Sequence, residues 1–253
     1  MRALRLTIVL LLASIPIVTD ASPVGKVLFV VSNVTDMGDA ERHDARNNLW
    51  EYAPPYHVFL MHGYDVEFVS PQGGAVEFSM DPVGISSYAI KYQNFLGKAR
   101  ATLDPPTVRA NEYVAAFVGG GYGTLFDAAS DPALLQLVGE IYERGGVVGA
   151  CGHGPGVLAN VKLPDGTFLV DGKRVAGFPN STEREKSWAK QGTLLPFLVE
   201  DQLRENGALV QNKDNLADKE AVVIDQRVVT TMFLPSATWV AEEMVRLLRS
   251  PRP

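Results

Sequence analysis

The single cysteine of the chain, Cys151, lies two residues before His153, one of only four histidines. Both sit in Gly145-Gly146-Val147-Val148-Gly149-Ala150-Cys151-Gly152-His153-Gly154-Pro155-Gly156. A thiol beside an imidazole suggests nucleophilic or proton-transfer chemistry, because the ring can take up the thiol proton. The β-branched Val147-Val148 reads as a buried strand, and the Gly/Pro cluster after it must turn the chain sharply. Such a strand-to-turn-to-helix corner lifts a side chain above the carboxyl ends of a parallel sheet and aims backbone N–H groups at the same point. A lone cysteine cannot close an intramolecular disulfide, so the thiol is either core packing or chemistry. No CxxC or Cys/His cluster points to a structural zinc or another metal.

The elements that would position this corner follow from hydrophobic patterning. Lys26 to Val31 is a continuous apolar run of the kind buried on both faces of a parallel sheet. Asn47 to Leu60 reads as a helix with an irregular start at Pro54-Pro55, followed by a strand over Val66 to Ser70. Residues 73–106 show no clean period and read as an excursion beside the sheet, with a short helix near Tyr88 to Leu96. Tyr113 to Val118 resumes the sheet and runs into Gly119-Gly120-Gly121-Tyr122-Gly123. Those glycines allow close backbone approach and free N–H groups, but match neither GxGxxG nor a P-loop. Asp131-Pro132 caps a helix with an apolar face at Leu134, Leu137, Val138 and Ile141.

Beyond the corner, Val157 to Val161 reads as a short helix and Phe168 to Val170 as a strand. Asp171-Gly172 reads as a hairpin turn into a strand over Lys173 to Phe178. Asn180 to Glu183 reads as a helix cap, and a helix follows from Leu194 to Asn206. Two strands over 221–225 and 228–231 and an amphipathic helix from Ser236 to Leu248 finish the chain. The alternation predicts one flavodoxin-like α/β domain, a doubly wound, mostly parallel sheet with helices on both faces.

The net charge of −6 and pI near 5.3 leave no basic surface for nucleic acid, so small molecules or proteins are the expected partners. Arg2 and Arg5, the apolar stretch from Leu6 to Val18 and Thr19-Asp20-Ala21 read as a cleavable signal peptide over residues 1–21. The mature domain, 22–253, is then expected to be exported to periplasm or medium, with no membrane attachment after cleavage.

Gly119 through Asp127, Gly145 through Val148, His153-Gly154-Pro155, and Gly177-Phe178 with Glu183 together resemble the ThiJ/PfpI superfamily. Within it the chain is most similar to the branch of heat-shock chaperones and glutathione-independent glyoxalases (glyoxalase III). The resemblance implies the class I glutamine amidotransferase-like fold, a homodimer, no cofactor, and either an α-oxoaldehyde substrate such as methylglyoxal or unfolded client proteins. It also implies a cysteine nucleophile on the elbow, a following histidine and a glutamate that hydrogen-bonds the thiol. The histidine maps to His153, the glutamate to Glu51 in Leu49-Trp50-Glu51-Tyr52, and a second acid behind the histidine to Glu183. Pocket or oxyanion positions map to Gly120, Gly121, Tyr122 and Gly152.

The nucleophile does not map. Family members read Cys-His-Gly-Pro, whereas this chain puts Gly152 in that place and Cys151 one residue upstream; Tyr122 replaces a histidine common in the glycine loop. A one-residue shift along a strand turns the thiol towards the core, unless the glycines let the turn re-register and bring Cys151 to its tip. The expectation is therefore a glyoxalase III-like enzyme using Cys151, Glu51 and His153. A catalytically silent binding protein, or a site in which Glu51 and His153 act on water without a thiol, remain as alternatives.

Overall fold

A computed structural model describes residues 22–79, 93–186, 188, 194–212 and 221–250. The signal-peptide reading over 1–21 lies outside these residues, as does the part of the excursion from Met80 to Tyr92. Six strands form the main sheet: β1 (Lys26–Val30), β2 (Asp65–Val69), β3 (Tyr113–Val118), β4 (Val147–Cys151), β5 (Val223–Asp225) and β6 (Val228–Thr231). Their order is β2-β1-β3-β4-β6-β5. Every pairing is parallel except the β5–β6 hairpin, whose turn holds Gln226 at φ 52°.

Helices cover both faces: α1 (Leu49–Met61), α2 (Gln93–Arg100), α3 (Pro132–Glu143), α4 (Pro155–Ala159), α5 (Val199–Glu205) and α6 (Ala237–Arg249). One layer packs α3, α4 and α5 on Leu28, Val30, Ala116, Val118, Val148 and Ala150. The other packs α1 and α6 on Val27, Phe29, Ala115, Phe117, Val147 and Val229. Consecutive residues of one strand thus feed opposite cores, as a period of two requires. This is the doubly wound, flavodoxin-like fold. No helix among the described residues is long and apolar enough to cross a membrane.

Several local expectations are corrected. Pro54 and Pro55 lie inside α1 rather than at its start, and Asn48 caps it by accepting the Trp50 N–H at 3.0 Å. Helix α2 continues past Leu96 and Gly97 to Arg100, and α5 begins at Val199 rather than Leu194. Asp171-Gly172 does turn, with Gly172 at φ 68°, but no hairpin forms. Arg174–Val175 instead pairs in parallel with Leu209–Val210. Asn180–Glu183 is a single-turn helix of its own, entered from Pro179 with no side-chain cap.

Candidate active site

Glu51 is the third residue of α1, where an acidic side chain would ordinarily face water and the helix dipole. Here it is buried, because the start of α1 is drawn beneath the glycine run that follows β3. A Cβ on Gly119 would overlap the Tyr52 ring, and one on Gly120 would overlap the Glu51 carboxyl. Gly121, at φ 117°, would set a Cβ 2.6 Å from the Arg46 carbonyl oxygen. The run therefore lets residues 46–52 approach the sheet end. Loss of water pushes the Glu51 carboxyl up to about 8, only partly opposed by the neighbouring Cys151 thiol.

Cys151 ends β4, and alternation places it with Val147 in the core beneath α1 and α6. It is fully buried, and its Sγ donates to the backbone carbonyl of Glu51 at 3.8 Å. That carbonyl lacks a helical partner for a reason written in the sequence: the residue four positions on is Pro55, which has no N–H. Burial and the Glu51 carboxyl push the thiol well above its usual range, so it remains a protonated donor. The turn does not re-register: of the two placements open to Cys151, the structure shows the buried one, away from the elbow tip.

Gly152 occupies the apex at φ 59°, and a Cβ there would overlap Glu51 Oε1. The carboxyl thus fills the space that a side chain at the apex would take. The oxyanion expectation is corrected at Gly152, whose N–H donates to the Thr231 carbonyl at 3.2 Å.

His153 follows the apex and is held on three sides. Its Nε2 meets Glu183 Oε2 at 2.9 Å, and its ring lies between Tyr122 at 4.3 Å and Phe178 at 4.2 Å. The Tyr122 hydroxyl donates to the other Glu183 oxygen at 3.1 Å. Glu183 is therefore a buried orienter of the histidine rather than a member of a helix cap. Burial and the Glu183 charge push the Tyr122 hydroxyl far up, keeping it a donor.

Glu51, Gly121, Tyr122, Gly152, His153 and Phe178 line one cleft of about 410 Å³ at the carboxyl ends of β3 and β4. Glu183 stands behind His153, Gly120 lies under the Glu51 carboxyl, and Cys151 is not in the wall. The cleft also takes in Arg46, Lys186 and Trp188, which sequence reasoning missed. Arg46 is paired with Asp44 at 2.9 Å, and nothing in its local spacing announces that it folds back to the sheet end. Trp188 sets its ring edge-on to Tyr122 at 5.5 Å. A larger groove of about 560 Å³ runs along α3, between Leu135 and Leu163, away from these groups. Among the described residues no group of three or more His, Cys, Asp or Glu side chains could hold a metal ion.

Chemically, the cleft offers two proton carriers. One is a carboxyl poised between its neutral and charged forms near physiological pH; the other is an imidazole fixed in orientation by a carboxylate.

The DJ-1/PfpI family model matches residues 45–247. "Glyoxalase 3" of Candida albicans is 29% identical over 209 residues, covering 76% of this chain and 84% of its own length. "Glutathione-independent glyoxalase HSP31" of Saccharomyces cerevisiae is 29% identical over 169 residues, covering 62% and 70%. The crystal structure of glyoxalase III from Candida albicans superposes with a TM-score of 0.77 at 26% identity, over 88% of this chain and 97% of its own. With the fold, the elbow and the matched span in agreement, this chain belongs to the DJ-1/PfpI family.

Proposed function

We propose that this protein is a glyoxalase III-like enzyme, converting small α-oxoaldehydes such as methylglyoxal to 2-hydroxy acids without glutathione. The observation that carries the reading is one cleft holding both the Glu51 carboxyl, raised to about 8, and the His153–Glu183 pair. Glyoxalase chemistry moves a proton between adjacent carbons, which needs a base that can ionise near neutrality and a positioned acid. The names of the relatives in Candida and Saccharomyces support the same substrate class. We further propose that residues 1–21 direct export and that the mature protein acts outside the cytoplasm; N-terminal sequencing of secreted or periplasmic protein starting near Ser22 would support this.

The test is methylglyoxal consumption by residues 22–253 without glutathione, with lactate measured as product. Turnover is expected, and Glu51→Gln should reduce it by about 100-fold or more while the fold persists. No turnover by the parent protein would overturn the enzyme reading. The buried thiol and the side-chain-free apex favour a second reading in that event: a silent relative whose cleft binds small carbonyl compounds.

A further inference from the structure

We infer that water takes the place of a thiol in this site: the substrate is the hydrated, gem-diol form of the aldehyde, isomerised by Glu51 and His153. This rests on the α-oxoaldehyde reading above and specifies which form of the substrate the cleft takes.

The geometry argues it from both sides of the Glu51 carboxyl. Behind the carboxyl lies Cys151, fully buried, absent from the cleft wall and engaged in satisfying the carbonyl that Pro55 leaves unpaired. In front lies the apex, where Gly152 presents no side chain and could carry none while Glu51 keeps its position. The other hydroxyls of the wall are committed: Tyr122 donates to Glu183, and Ser79 to the Asn47 carbonyl at 3.4 Å. The cleft thus presents proton carriers where a thiol route would need an accessible sulfur.

A gem-diol supplies the oxygen that such a route would otherwise take from a later water. Water adds to the aldehyde carbon C1 of CH3–CO–CHO in solution, giving CH3–CO–CH(OH)2. The ionised Glu51 carboxylate removes the C1 proton. The C–H electron pair forms a C1=C2 bond, and the C2 carbonyl oxygen takes a proton from His153, giving the enediol CH3–C(OH)=C(OH)2. Glu51 returns a proton to C2, while a C1 hydroxyl proton passes to His153, leaving CH3–CH(OH)–COOH. Both side chains end in their starting forms, and the net reaction is aldehyde plus water to 2-hydroxy acid, with no external oxidant or reductant. Tyr122 acts as a positioning residue by holding the second oxygen of Glu183.

The test compares the parent with Cys151→Ser and Cys151→Ala, and treats the native parent with iodoacetamide. Cys151→Ser keeps a donor for the Glu51 carbonyl, so it should fold and retain kcat/KM within about threefold. Iodoacetamide should neither label nor inhibit the native parent. If the parent turns over methylglyoxal, while a folded Cys151→Ser loses activity by about 100-fold or alkylation abolishes it, the thiol-free route is overturned and the glyoxalase reading survives. If the parent has no turnover, both fall together. Should Cys151→Ala fail to fold, the serine variant and the alkylation still decide the matter.

Discussion

The raised Glu51 carboxyl makes stability and the proposed chemistry depend on pH in opposite ways. Its carboxyl is neutral in the folded protein up to about 8, whereas its ordinary value is 4.5. Between those values the unfolded chain releases this proton and the folded chain keeps it. The stabilisation by Glu51 is therefore present at low pH, declines as pH rises through that window and levels off above it. Glu51→Gln removes this dependence, so its melting temperature should exceed that of the parent by a margin that widens from pH 5 to pH 8. A margin that stays constant over this range would show that the carboxyl is not held neutral. The groups around it are the Cys151 thiol beneath, the Tyr52 and Tyr122 hydroxyls, and His153 across the cleft. No local pattern in Leu49-Trp50-Glu51-Tyr52 distinguishes this buried acid from a solvated one, because its burial is imposed by Gly119 to Gly121, some seventy residues later.

A hydrogen bond from Cys151 to the Glu51 carbonyl links helix α1 to strand β4. Pro55 withholds the N–H that would serve Glu51's carbonyl, and the Cys151 thiol serves it instead. Pro55→Ala should therefore raise the melting temperature, since a helix-interior proline costs about 3 kcal/mol relative to alanine. In that background Cys151→Ala should cost less than in the parent, where it strands a buried carbonyl worth about 1–3 kcal/mol. Additive effects in the double-mutant cycle would sink the pairing. At this scale the local signals were legible where burial pattern and caps agree: the sequence reading of β3 has the observed limits, and Asp131 caps α3 by accepting the Leu134 N–H at 2.7 Å. They misled where the partner is remote. Asp171-Gly172 turns as its residue types require, yet the strand after it pairs with Leu209–Val210, which no turn signal can foretell. The reading of Asn180 to Glu183 as a cap followed a local spacing, while Glu183 belongs to His153. The alternation rule, applied to β4, did contain the answer for Cys151.

The whole molecule is a sheet clamped between two helical layers, and the layer that buries Glu51 is secured by α6. Gly149 in mid-β4 makes room for Met244 of that helix; a Cβ there would overlap the Met244 sulfur, with Val240 at 3.1 Å. Gly149→Ala should destabilise by about 1–3 kcal/mol through overpacking, measured by urea denaturation. Adding Met244→Ala should recover part of the loss, and full additivity would contradict the packing account. The doubly wound architecture was legible because alternating strands and helices with apolar faces admit few arrangements. That the Glu51 carboxyl fills the space at the apex was not, since it depends on how one carboxyl, one thiol and several glycines share the sheet end. If Glu51, not Cys151, is the reactive base as proposed, the pH profile of kcat/KM for glutathione-free methylglyoxal conversion should be the same for the parent and Cys151→Ser. Overlapping curves are expected that rise with pH and bend near 8, where the Glu51 carboxyl ionises. A parent profile that is flat across that range, or one that collapses in the serine variant, would contradict the proposal.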